Sequence, residues 1–176
     1  MKTFEFSVIA SGLDPSADDY ESRFYDHGCD DALVSFQKGH TIVDFAREAE
    51  SISDAISSAV ADVVRAGGTI NRIEPDPLVS LSDIATRANM SRAVVTQYAK
   101  GNRRAAFPAP VARVTTSSPL WEWASVACWL WKEDKLSKAD AINAQAVKIA
   151  NGLVQTGNLE LDCVLNDRVR EFEHNL

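Results

Sequence analysis

The stretch that decides the fold is 81–101, LSDIATRANMSRAVVTQYAKG, in a chain of 176 residues. Residues 78–88 predict a short helix, because Ser80 and Asp83 stand at capping-box spacing. One face of this helix is apolar and consists of Leu81, Ile84, Ala85 and Ala88. Asn89 follows and predicts a turn, since asparagine accepts left-handed backbone angles. Ser91 then caps a second predicted helix over 92–100, which Gly101 closes.

Two short helices joined by a tight turn, with the small Ala85 where they cross, are typical of a helix-turn-helix. Val95 and Ala99 have the spacing to face the first helix. The remaining polar side chains carry donors of the kind that reach bases and phosphates in the major groove of DNA. We therefore expect five residues to enter the groove: Ser91, Arg92, Thr96, Gln97 and Lys100. Arg92 and Gln97 are the expected base readers.

A basic loop follows the second helix. Residues 107–115 predict one edge of a hairpin, and 117–119 turn the chain back toward Leu120 and Trp121. Pro108 and Pro110 cannot donate to a ladder, so this edge must be short or irregular. We expect three arginines of this region to contact phosphates: Arg103, Arg104 and Arg113.

Four tryptophans lie within eleven residues, and two roles are open to them. They could stack on bases, or they could close a small core. Trp121, Val126, Trp129 and Leu130 have the spacing of a core, which favours the second role, and Trp123 or Trp131 is left to contact another domain.

The pattern Ile84-Ala85-x-x-x-Asn89-Met90-Ser91-Arg92-x-x-Val95, with 107–111, 120–121 and 126–130, resembles the MerR and AlpA/excisionase superfamily. The resemblance covers residues 78–131. It implies a winged helix-turn-helix whose second helix enters the major groove and whose wing lies on the adjacent backbone. Small excisionase-like proteins lack the long acidic segment before this region and the helical extension after it, so the resemblance favours DNA binding over excision.

The net charge of −7 argues against nucleic-acid binding if it is taken over the whole chain. Its distribution reverses that conclusion: residues 1–77 carry −9, residues 78–135 carry +4, and residues 136–176 carry −2. No acidic residue lies between Asp83 and Glu122. Six cations fall in that window: Arg87, Arg92, Lys100, Arg103, Arg104 and Arg113. The prolines of 74–77 mark a domain boundary just before it.

Residues 1–75 predict an acidic α+β domain. Alternation over 4–10 predicts a strand, and Ser16 with Asp19 predicts a capped helix ending at Gly28. Residues 32–38 and 41–46 predict a hairpin turned at Gly39-His40, and 52–63 predicts a helix before a closing strand at 69–73. The order β-α-β-β-α-β is that of ferredoxin-like folds, which bind effectors, form dimers or dock proteins.

Residues 136–176 predict two amphipathic helices. Ser137 caps the first, which is expected to end at Asn151-Gly152. The second carries an apolar stripe of Leu161, Val164, Leu165, Val169 and Phe172. These helices either fold back on their own domain or pair across a two-fold axis in a homodimer.

Other function classes find little support. Acidic residues around His27 and Cys29 could bind a divalent cation, but they lack a calcium-loop spacing and more simply cap helices and solvate a loop. No catalytic motif is present, so we expect no enzyme activity and no cofactor. Cys29, Cys128 and Cys163 are expected to be reduced and structural. Without a signal peptide or an apolar run long enough to cross a membrane, the expected location is the cytoplasm, with no membrane partner.

The sequence thus predicts a sequence-specific regulator of double-stranded DNA, a dimeric repressor, whose acidic domain binds a protein or an effector. Two alternatives remain. One is an antitoxin-like autorepressor whose acidic domain binds a basic protein, and the other is an excisionase-like architectural protein of a mobile element.

Overall fold

The computed structural model describes residues 1–103 and 106–176, which form an α+β fold with seven helices and six strands. The strands are β1 (Lys2–Ser11), β2 (Ala32–Gln37), β3 (His40–Ala49), β4 (Thr69–Glu74), β5 (Leu78–Val79) and β6 (Trp121–Glu122). The helices are α1 (Tyr20–Asp26), α2 (Ile52–Arg65), α3 (Leu81–Arg87), α4 (Arg92–Ala99), α5 (Trp123–Lys132), α6 (Lys138–Gln155) and α7 (Asp162–His174).

The chain divides into two compact units. Unit 1 comprises residues 1–75 and 146–176, and unit 2 comprises residues 76–145. The boundary after Pro75 coincides with the proline-marked junction in the sequence. The C-terminal segment differs from its prediction, since it is not a separate part: α6 supplies residues to both units, and α7 belongs to unit 1.

Unit 1 is built on a four-stranded antiparallel sheet in the order β2-β3-β1-β4. The order of helices and strands predicted for residues 1–75 is confirmed. Alternation along β1 buries Phe6 and Val8 on the side that pairs with Phe45 and Val43 of β3, and the two phenylalanine rings stack at 5.4 Å. Helix α2 adds its own apolar face, including the fully buried Ile56, to complete this core.

Two local predictions in unit 1 are wrong. Lys38 and Gly39, at φ 51° and 82°, form the turn between β2 and β3, because Gln37 pairs with His40 and leaves only these two residues in the loop. Ser16 does not cap α1. Its amide and hydroxyl both donate to the Asp14 carboxylate, so the helix begins only at Tyr20.

Helix α6 continues through Asn151-Gly152, where the sequence predicted its end. The reason is that Asn151 is buried and its amide is used: Oδ1 accepts from the Ile73 amide at 2.9 Å, and Nδ2 donates to the Ile73 carbonyl at 2.8 Å. A helical asparagine therefore satisfies the outer edge of β4, and this contact outweighs the low helix propensity of Asn-Gly.

The apolar stripe of α7 packs on α2 within unit 1. Leu161, Leu165 and Val169 are buried, and Asn166 Nδ2 donates to Asp54 Oδ1 at 2.9 Å. The stripe thus follows the alternative in which it folds back on its own unit.

A buried arginine ties three elements of unit 1 together. Arg47 of β3 is 7% exposed and forms a bidentate ion pair with Asp31, and its Nη1 lies 2.7 Å from Asp62 of α2. It also donates to the Gly28 carbonyl at 2.7 Å. One acidic residue of the segment after α1, Asp31, is thus paired with a cation of the same unit.

The three cysteines are free thiols, as predicted, but only Cys29 is buried, while Cys128 is half-buried and Cys163 is exposed. Burial raises the pKa of the Cys29 thiol to about 12, and the negative charge of Asp62 adds to this effect. The expectation of a structural role thus fits Cys29, whereas Cys163 lies on the surface.

Among the helices of the described residues, none combines the length and apolar character needed to cross a bilayer.

Candidate nucleic-acid interface

Helices α3 and α4 of unit 2 are fixed by side chains that the sequence identified. Ser80 accepts a hydrogen bond from the Asp83 amide at 3.2 Å, and the Asp83 carboxylate accepts from the Ser80 amide at 2.8 Å, which confirms the capping box. Helix α3 begins at Leu81 rather than within 78–80, because Leu78 and Val79 pair with β6 instead. The Ser80 hydrogen bonds hold the pKa of Asp83 below its ordinary value of 3.8.

The turn between the helices depends on Asn89. Its φ is 50°, so it takes the left-handed conformation that the sequence predicted. The Met90 amide donates to the Ala85 carbonyl at 2.8 Å, and the Asn89 amide donates to the Thr86 carbonyl at 3.2 Å. This pair of bonds is a Schellman motif, which ends α3 and directs the chain into the Ser91 cap of α4.

Helix α4 has one buried and one exposed face. Val95 and Tyr98 are buried, and Ala99 is half-buried, so Val95 and Ala99 face inward as predicted. Four residues of the predicted reading set are exposed: Ser91, Arg92, Gln97 and Lys100. Arg92 and Lys100 form no ion pair or hydrogen bond through their side chains within the described part of the chain. They therefore remain available for an external anion.

Thr96 differs from its prediction. It is half-buried, and its hydroxyl donates to the Arg92 carbonyl at 2.8 Å. A threonine bonded back to its own helix has committed its donor, so it has only lone pairs for a ligand. Ser91 is committed in part as well, since its hydroxyl accepts from the Val94 amide at 3.3 Å.

The six cations of the basic window have different environments. Arg87 is half-buried, donates to the Asp76 carbonyl at 2.9 Å and lies over the Trp123 ring at 5.3 Å, so it stabilises unit 2. Arg103 is exposed two residues beyond Gly101. Arg104, the neighbouring phosphate contact that we expected, lies outside the described residues.

The loop that carries Arg113 is held by a single bridge. Ala112 pairs with Leu120, and the Val111 amide also donates to the Leu120 carbonyl at 2.8 Å. The hairpin edge expected over 107–115 is thus reduced to this bridge, in agreement with the limit that its prolines impose. Arg113, at φ 52°, is exposed in the loop, and its carbonyl accepts from the Thr116 amide at 3.0 Å.

An aromatic core joins this loop to α4. The ring of Phe107 packs on Tyr98 of α4, with 6.2 Å between the ring centroids, and on Trp129 of α5, with 5.0 Å between the centroids. Trp121 Nε1 donates to the Pro108 carbonyl at 3.0 Å. The core role of Trp121 and Trp129 is confirmed, because both are at least nine-tenths buried. Trp123 is buried in the same core and is not left over for another domain.

Three exposed residues near the interface were not predicted. Ala93 lies on the exposed face of α4, between Arg92 and Gln97 on the helix surface, and leaves room for close approach of a partner. Val111 and Val114 lie within two residues of Arg113 and are 59% and 62% exposed. Helical spacing could have identified Ala93, whereas the valines resemble strand residues until the irregular loop is seen.

The acidic residues around His27 do not form a metal site in the described structure, where no group of three His, Cys, Asp or Glu is placed to hold an ion. Each of three aspartates has a partner of its own: Asp14 accepts from Ser16, Asp19 pairs with Arg23, and Asp31 pairs with Arg47.

No protein-family model, curated protein or solved structure matches this chain.

Proposed function

We propose that this protein is a sequence-specific regulator of double-stranded DNA that reads the major groove with α4 and acts as a repressor. The observation that carries this proposal is the exposed face of α4, where Arg92, Gln97 and Lys100 are exposed while Val95 and Tyr98 on the opposite face are buried. A helix presented in this way fits the width of the major groove, and its arginine and glutamine can bond bidentately to guanine and adenine edges.

The fold of unit 2 supports this function. The helix pair α3 and α4, the loop of Arg113 and the closing helix α5 follow one another as in the winged helix-turn-helix of the superfamily that residues 78–131 resemble. Arg103 and Arg113 are exposed and would contact phosphates, and Arg104 adds a further charge in the sequence. Phosphate contacts of this kind position a reader without choosing the base sequence.

Unit 1 supports a separate role for the rest of the chain. Its strand order, with β1 and β3 central and β2 and β4 at the edges, is the order we expect of a ferredoxin-like sheet. Unit 1 carries nineteen acidic and nine basic residues and would repel DNA, whereas unit 2 carries six acidic and nine basic residues. Unit 2 is therefore the part of the chain that would face the duplex.

A selection from random DNA duplexes with the full chain tests this function. We expect the wild-type protein to enrich a common site and the Gln97→Ala variant to lose about 1–3 kcal/mol of preference at one base position. The Arg103→Ala variant should instead weaken selected and scrambled duplexes equally, since phosphate contacts carry no base information. Failure of the wild-type protein to enrich any site would refute the proposed function.

Regulation is tested separately by placing the selected site over a reporter promoter. Expression of the wild-type chain should lower reporter output, and the Gln97→Ala variant should restore it. Raised output would identify an activator. Output that does not respond to a well-bound site would favour the architectural, excisionase-like alternative.

The antitoxin-like autorepressor remains a second candidate because unit 1 is strongly acidic. It shares the DNA-reading helix and adds a basic protein partner to unit 1.

A further inference from the structure

The two edge strands of the unit 1 sheet, β4 and β2, differ in the hydrogen bonding of their outward backbone groups. At β4, Asn151 occupies the outward amide and carbonyl of Ile73, as a neighbouring strand would. At β2 no strand or side chain of the described residues takes that place, and β2 pairs only with β3. An open strand edge is a template for pairing with another chain.

The hydrogen-bond alternation of β2 identifies its free groups. The Asp31 carbonyl accepts from the Ala46 amide at 3.1 Å, and alternate residues of an antiparallel ladder point the same way. Leu33 and Ser35 therefore bond toward β3, and the amides and carbonyls of Val34 and Phe36 point outward. Val34 and Phe36 together offer four backbone groups to an added strand.

The side chains along this edge are uncharged, and four of the six are apolar. Strand β2 reads ALVSFQ and has no charged residue, although exposed edge strands are normally protected by charge or proline. Leu33 is 69% exposed, Phe36 is 45% exposed, and Tyr25 of the adjoining α1 is 67% exposed. A groove of about 370 Å³ runs between α1 and β2, with Glu21 among the residues that line it.

The net charge of unit 1 indicates which kind of chain can bind at the β2 edge. Unit 1 has ten more acidic than basic residues, so pairing two copies through this edge would bring like charges together. A basic chain gains from the same field, and a lysine or arginine could pack its stem on Tyr25 and Val34 while its charge meets Glu21.

We infer that the free edge of β2 docks an extended, basic segment of a partner protein, which adds to the sheet as a fifth strand and places one side chain in the groove. This site lies wholly in unit 1 and does not depend on DNA binding by α4. It gives the basic partner of the antitoxin-like alternative a defined position, and the same edge would serve any partner with that chemistry.

The test is to pan a library of short random peptides on the immobilised full chain and to measure the affinity of the most enriched peptide. We expect peptides in which β-forming residues alternate with lysine or arginine, and binding that weakens as salt is raised. Binding should perturb the amide resonances of Val34 and Phe36.

Two variants locate the peptide. Val34→Pro removes an outward amide at a position where an edge strand tolerates proline, and it should lower the affinity about tenfold. Glu21→Lys reverses the charge at the groove and should weaken binding as well. Glu5→Lys makes the same charge change on the central strand β1, also at an exposed residue, and should leave the affinity nearly unchanged.

Circular dichroism of each variant separates loss of binding from loss of fold, and Glu21→Lys decides the outcome if Val34→Pro unfolds. The inference is overturned if no peptide is enriched, if Glu21→Lys and Glu5→Lys have equal effects, or if the chain dimerises through β2 and excludes the peptide.

Discussion

At the scale of single residues, a few backbone positions determine how the chain turns from α3 into α4. Asn89 is the clearest, because its left-handed φ allows the two carbonyls at the end of α3 to be satisfied in one turn. Its role follows from sequence alone, since an asparagine between two capped helical patterns is typical of a left-handed helix end. The positive φ of Lys38 could not be predicted, because it follows from the register of Gln37 with His40.

Replacement of Asn89 should report directly on this turn. Asn89→Ala forces a Cβ-bearing residue without a compensating side chain into the left-handed region and should lower the free energy of unfolding by about 1 kcal/mol. Asn89→Gly should be neutral or stabilising, because glycine adopts this conformation without steric cost. Urea denaturation measures both. Equal destabilisation by the two variants would mean that the side chain, and not the backbone angle, holds the turn.

The cap of α3 should depend on pH. The folded pKa of Asp83 is lowered, so its stabilising contribution is present above the ordinary value of 3.8 and is lost as the pH falls through the folded value. Asp83→Asn should therefore cost about 0.5–1 kcal/mol near neutral pH and nothing in strong acid. Denaturation of both proteins from neutral pH down to strong acid measures the difference in their free energies of unfolding. A difference that does not change with pH would contradict the ionised capping box.

At the scale of helices and strands, periodic patterns predicted the existence of the main elements, and long-range contacts set their limits. The apolar faces of α2, α3, α4 and α7 were visible in sequence because each has helical spacing. The end of α6 was misplaced because Asn-Gly is a local stop signal, while the partner of Asn151 is 78 residues away in β4. Strand β5 was missed for a similar reason, since two residues carry no period and its partner is β6.

Asn151 gives a test at this scale. Asn151→Leu would keep the volume and leave the amide and carbonyl of Ile73 without partners in a buried place, which should cost about 1–3 kcal/mol. Asn151→Asp should be an intermediate case, since a carboxylate can accept from the Ile73 amide but cannot donate to its carbonyl. The measurement is the free energy of unfolding of each full-length variant, compared with that of the wild type. A Leu variant as stable as the wild type would show that the edge of β4 needs no cover.

At the scale of the whole molecule, charge and chain order separate two tasks. The acidic residues lie mainly in unit 1, where Arg47 pairs with two of them, and the basic window lies in unit 2. The sequence predicted this partition because charges can be counted without a structure. It could not predict that Arg87 is half-buried against Trp123, that Thr96 bonds back to its own helix, or that, among the described residues, the β4 edge is covered and the β2 edge is not. Each of these depends on contacts that a local pattern does not contain.

The central claim, that the exposed cations of unit 2 bind DNA phosphates, is tested most directly by a salt series. Binding of the full chain to a duplex is measured by fluorescence anisotropy while the salt concentration is raised. Phosphate contacts by Lys100, Arg103, Arg104 and Arg113 predict a slope of about −4 in log K against log salt, and Arg103→Ala should reduce its magnitude by about 1. No binding at low salt, or a slope near zero that Arg103→Ala leaves unchanged, would contradict the claim.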